Sequence, residues 1–68
     1  MTPREFKTIR LALGQSAARM ARLLGVTAGR TVFHWEAGER AIPGPVAKLM
    51  RLLDLNVIQP EDLEGLKD

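Results

Sequence analysis

The chain is 68 residues long, 46% hydrophobic and free of cysteine, and its ten basic and eight acidic side chains leave a formal charge of +2. A domain of this size buries only roughly 60% of its unfolded surface, so one small core is expected and an enzyme with a deep pocket is not. Without cysteine there is no disulfide framework and no Cys-based zinc site; with a charged opening segment and no run near the ~20 apolar residues of a membrane span, the expected setting is the cytoplasm, with no membrane contact.

The charge is unevenly spread. Residues 1–51 hold nine basic side chains against three acidic ones, whereas residues 52–68 hold five acidic against one basic. A basic body suits a polyanion, and an acidic end must point away from it.

The punctuation along the chain is helical. Thr2-Pro3-Arg4-Glu5 has the form of a capping box, with Thr2 as N-cap, Pro3 in the first helical position and Glu5 reaching back to the Thr2 amide. A first helix starts there, with Phe6, Ile9, Ala12 and Leu13 on its apolar face, Arg4, Lys7 and Arg10 on a different stripe, and Gly14 as a left-handed stop. Ser16 caps a second helix over residues 16–24, whose apolar face is Met20, Ala21 and Leu24, whose Arg19 and Arg22 face solvent, and which Gly25 ends. Val26 and Thr27 make a turn, Thr27 caps a third helix over Ala28–Ala37, and Gly38 stops it. Ile42-Pro43-Gly44-Pro45 breaks the chain before a fourth helix in which Val46, Leu49, Met50 and Leu53 recur at helical spacing. Leu55, Val57 and Ile58 follow, and Gln59-Pro60-Glu61-Asp62-Leu63 starts a last helix reaching about Leu66. The fold class is therefore all-α, a compact five-helix single domain in which two short helices joined by a Gly-containing turn form a helix-turn-helix.

The third helix carries the candidate site. At about 100° per residue with Val32 at zero, Trp35 falls near 300° and Ala28 near 320°, a buried face; Phe33 near 100°, Ala37 near 140°, Arg30 near 160° and His34 near 200° lie opposite. Arg can bond bidentately to guanine O6 and N7, and an apolar ring can meet a thymine methyl, so Arg30, His34 and Phe33 are the candidate base readers in a major groove wide enough for a helix. Bland alternatives stand beside these. Phe33 can instead pack against helix 2 or a partner, Arg30 can be a solvated surface arginine, and Trp35 belongs to the core. His34 has no second histidine or cysteine with which to hold a metal, so no metal or other cofactor is expected. Catalysis at His34 would need a nucleophile or an orienting carboxylate; the nearest acid, Glu36, faces elsewhere and reads as a partner of Arg40 or a backbone cap, so no enzymatic activity is expected.

Leu24-Gly25-Val26-Thr27, followed by Val32, Trp35-Glu36, Gly38, Arg40 and Pro43, resembles the Cro and repressor class of helix-turn-helix proteins over residues 13–53. Gln15 and Ala17 depart from that pattern where many relatives carry an apolar residue and a DNA-contacting glutamine. The spacing from Gly25 to Trp35 is one residue longer than usual, which puts Gly29 in an uncommon position and Arg30 at the groove-facing one. This spacing, with Arg40 before Pro43, Met1-Thr2, Ile9-Arg10 and Trp35-Glu36, is similar to the anti-CRISPR-associated repressors of phages. The resemblance implies a homodimeric transcriptional repressor that binds duplex DNA at an inverted repeat in the promoter of its own operon, with the third helix in the major groove.

On that reading Ser16, Arg19, Arg22, Thr27 and Arg40 hold phosphates while Arg30, His34 and Phe33 read bases. Leu55, Val57, Ile58, Leu63 and Leu66 are the surface for pairing, or else only cap the core of the monomer. Two other readings stay open: an antitoxin-type module whose Leu55–Leu66 segment grips a protein partner, and an RNA-binding regulator using the same basic face. No small-molecule effector is expected.

Overall fold

Thr2 fixes where the first helix begins. In the computed structural model, which describes residues 1–66, the Glu5 amide donates to the Thr2 hydroxyl at 3.1 Å and the Thr2 amide donates to the Glu5 carboxylate at 3.0 Å, so the expected capping box starts α1 (Pro3–Ala12). The Ser16 hydroxyl accepts from the Arg19 amide at 3.1 Å and starts α2 (Ala17–Leu24). The remaining elements are α3 (Gly29–Glu36), α4 (Gly44–Asp54) and α5 (Pro60–Glu64). The described residues are all-helical, and none of these helices is long and apolar enough to cross a membrane.

α1 to α4 end alike. Residues with positive φ, namely Gly14, Gly25, Gly38 and Asn56, turn the chain back, and the next amide bonds to the carbonyl five residues earlier: Gln15 to Arg10, Val26 to Ala21, Glu39 to His34 and Val57 to Leu52. Asn56 fills this role at the end of α4, where the sequence has no glycine and asparagine is the next most tolerant residue.

The helices close on a core of Phe6, Ile9, Met20, Ala21, Val32, Trp35, Val46, Met50 and Leu53. Each large side chain there contributes about 1.5–3 kcal/mol by leaving water. The Trp35 ring meets Phe6 edge-on at a centroid distance of 5.6 Å, which joins α3 to α1.

Several expected positions shift. Ala12 is exposed, and Arg10 is buried at 7% exposure in its place. With Phe6 at zero and about 100° per residue, Ile9, Leu13 and Arg10 fall within about 300° to 40°, whereas Ala12 falls near 240°, outside the core arc. In α2, Leu23 is buried as well as Met20 and Ala21. The third helix is shorter than Ala28–Ala37: Ala28 and Ala37 are its caps, and Ala28 is exposed because its extended φ of −156° takes it off the helical wheel. Thr27 is not the cap and lies exposed in the turn. The last helix stops at Glu64, two residues before the expected Leu66.

Candidate nucleic-acid interface

α3 is held at three levels along its length. At its start, Gly29 lies against the backbone of α2, so close that an added Cβ would sit 2.9 Å from the Ala18 nitrogen and 3.1 Å from its Cα. Only glycine fits this approach, which accounts for the uncommon Gly29 and for a helix start set by packing rather than by a side-chain cap. In the middle, Val32 and Trp35 are buried at 0% and 3% exposure.

At its end, Glu36 accepts from Arg10 Nε at 2.6 Å and from a terminal Arg10 nitrogen at 3.0 Å, a two-pronged pair, while the other terminal nitrogen donates to the Gln15 carbonyl at 3.0 Å. Hydrogen bonding to Glu36 raises the Arg10 pKa above the ordinary arginine value, outweighing the opposite effect of burial. This corrects two expectations: Glu36 is the partner of Arg10 rather than of Arg40, and Arg10 belongs to the core face of α1.

With its inner side so anchored, α3 turns Arg30, Phe33 and Ala37 outward, all exposed, and leaves His34 half-buried. Phe33 is 57% exposed and borders an open groove between α1 and α3 together with Lys7, Arg10, Glu36 and Ala37. Arg30 and Arg40 are exposed and make no ion pair among the described residues, as do Lys7 and Arg22. His34 does have an acid beside it, namely Glu39, whose Oε1 lies 2.6 Å from Nδ1. The nearer acid in sequence, Glu36, is engaged by Arg10 instead.

The phosphate candidates divide. Ser16 and Thr27 are exposed at the starts of α2 and of the turn before α3. Arg19 is paired with Glu64 at 2.6 Å, and Arg19 and Arg22 line a groove with Leu23, Leu63, Glu64 and Leu66. Both arginines therefore share a groove with the acidic C-terminal segment.

The pairing candidates divide as well. Ile58 and Leu63 are partly buried against the chain's own core, whereas Leu55, Val57 and Leu66 are 63%, 64% and 72% exposed. Lys7 and Glu39 also lie beside the outer face of α3, and helical spacing singles out neither. Glu39 had a signal: an acid five positions after His34, with a glycine between them, is the spacing that a left-handed helix stop folds together. Compared with known proteins, the chain matches no protein-family model and no curated protein sequence.

Proposed function

We propose that this chain is a sequence-specific DNA-binding transcriptional repressor in which α2 and α3 form a helix-turn-helix and α3 enters the major groove. The observation that carries this reading is the division of α3 into two faces: Val32, Trp35 and Glu36 are tied into the domain, while Arg30, Phe33 and His34 form an outward set of one guanidinium unpaired among the described residues, one aromatic edge and one imidazole. Those groups match base-edge chemistry: guanine O6 and N7 for Arg30, a thymine methyl for Phe33, and a base edge for His34. The Gly29 and Arg30 amides at the start of α3 carry no side-chain cap and can meet a phosphate, the Thr31 amide donating instead to the Ala28 carbonyl at 3.0 Å, with Ser16, Thr27 and Arg40 as further phosphate contacts and Lys7 in addition. Arg22 can contribute alongside them; Arg19 would first have to leave Glu64.

Binding as a homodimer to an inverted repeat is supported by the exposed Leu55, Val57 and Leu66, apolar side chains that a second copy would cover. Repression of an operon beside an anti-CRISPR gene, in the cytoplasm of a bacterial host, is supported by the sequence resemblance.

The test is a titration of the full chain on duplexes from its own upstream region and on scrambled duplexes. Arg30→Ala is expected to cost about 5- to 150-fold on the preferred duplex and little on the scrambled one, as loss of a bidentate base contact would. Arg40→Ala should weaken both alike and lower the salt slope by about 1. Equal losses on both duplexes for Arg30→Ala would refute base reading by that residue, and absence of any preferred duplex would refute the function.

A further inference from the structure

His34 and Glu39 are joined twice. The left-handed turn at Gly38, with φ of 77°, lets the Glu39 amide donate to the His34 carbonyl at 2.9 Å and the Gly38 amide to the Trp35 carbonyl at 3.2 Å, the two bonds of a Schellman stop. That backbone closure brings the Glu39 carboxylate to 2.6 Å from His34 Nδ1.

A carboxylate only accepts, so the proton of a neutral imidazole in this contact resides on Nδ1, and Nε2 is left as a bare acceptor. Among the described residues Nε2 makes no hydrogen bond, and no side-chain nitrogen or oxygen there is both buried and unpartnered, so Nε2 opens to solvent on the half-exposed His34.

We propose that Glu39 is a positioning residue for sequence specificity: by holding the His34 proton on Nδ1 it makes Nε2 an acceptor that selects a base with an exocyclic amino group, adenine through N6 or cytosine through N4. Guanine and thymine present O6 or O4 at the corresponding edge, an acceptor facing an acceptor. The proposal rests on the reading of α3 as a groove-binding helix. It adds a residue that touches no base and yet decides which bases are accepted at one position of each half-site.

Two measurements on the full chain test it. The first needs no DNA: long-range nitrogen–proton correlation of the imidazole, in a buffer chosen so that the ring reports as neutral. The wild type should show His34 with its proton on Nδ1, and Glu39→Ala should move the proton population toward Nε2. Glu39 is an exposed residue and its side chain serves no core contact, so this variant is expected to fold.

The second is selection of preferred sites from randomised duplexes in the same buffer. Wild type should prefer adenine or cytosine at one position per half-site by about 2- to 13-fold, the range of one net hydrogen bond. Glu39→Ala should lose that preference there while keeping the others, and the loss of a negative charge beside the duplex should strengthen binding to all duplexes alike. A proton on Nε2 in the wild type, a preference for guanine or thymine at the Glu39-dependent position, or a Glu39→Ala loss of preference spread over all positions would each overturn the proposal. Should no duplex be preferred while the proton is found on Nδ1, the DNA reading fails and the base selection with it, whereas the tautomer assignment stands.

Discussion

Replacing Glu36 by alanine removes the acceptor for two nitrogens of a guanidinium that has almost no access to water. The Arg10 and Glu36 side chains are 8% and 6% exposed, so Arg10 would be left as a buried charge whose remaining partner is the Gln15 carbonyl. Removing one member of a buried pair costs about 3–5 kcal/mol. A chain of 68 residues has about 3–10 kcal/mol of stability in all, at the usual 0.05–0.15 kcal/mol per residue, so this single change consumes a third of the total or more. At about 4–8 °C per kcal/mol for a domain of this size, Glu36→Ala should lower the thermal midpoint by about 12 °C or more, measured by circular dichroism at neutral pH. The double variant Arg10→Met/Glu36→Leu separates a lost attraction from a stranded charge. Because apolar residues of similar volume often replace a buried pair at no cost, it should recover most of the loss. A Glu36→Ala loss below about 1 kcal/mol, the range of an exposed pair, would refute the burial argument, and a double variant no better than the single one would show that the stranded charge is not the source of the cost.

The cap of α1 gives a pH prediction. Glu5 has its pKa lowered from 4.5 to about 2, first by the Thr2 amide and then by the Arg51 guanidinium, so its contribution is present above its unfolded value and is lost as the pH falls toward 2. Glu5→Gln should therefore melt below wild type at neutral pH and converge with it between about pH 4.5 and 2; an unchanged gap at pH 2 would rule out ionised Glu5 as its source. Gly29→Ala should lower stability by roughly 1–3 kcal/mol, because the new Cβ meets α2 backbone at 2.9 Å and the loss exceeds the roughly 0.5–1 kcal/mol that alanine gains over glycine inside a helix. Denaturant unfolding reads the change, and a Gly29→Ala chain as stable as wild type would refute the close approach.

The local devices were legible in the sequence because their physics is local. The box at Thr2 and Glu5, the Ser16 cap and the stops at Gly14, Gly25 and Gly38 each depend on residues within one turn, and Val32 and Trp35 in α3 and Val46, Met50 and Leu53 in α4 follow from spacing, whereas Ala28, on the same wheel, is exposed. Arg10 was not legible as a core residue. Periodicity sorts an arginine onto the polar side, and only its partner, 26 positions away, makes its burial affordable. The same distance effect hid the environment of Arg19, since its partner Glu64 lies on α5 and nothing near Arg19 announces it. Gly29 was visible as an oddity, but its reason is the α2 backbone across the turn. Threonine caps helices well, so the sequence points to Thr27 as the cap, yet packing of Gly29 sets the start beyond it.

An isolated helix of eight residues is not stable in water, so α3 owes both its existence and its orientation to its surroundings. Those surroundings act on one side only: Gly29 on α2, Val32 and Trp35 in the core, Glu36 on Arg10, and the Gly38 stop behind them. Arg30 and Phe33 take part in none of these supports, and His34 takes part through its backbone carbonyl alone. Exposed substitutions away from such supports usually change stability by no more than about 0.5 kcal/mol. On the outer face of α3 the proposed recognition groups can thus change with little cost to folding. On the inner face a change at Gly29, Trp35 or Glu36 alters the position of every outward group together. Loss of binding from the first class should leave unfolding unchanged, whereas loss from the second should track it.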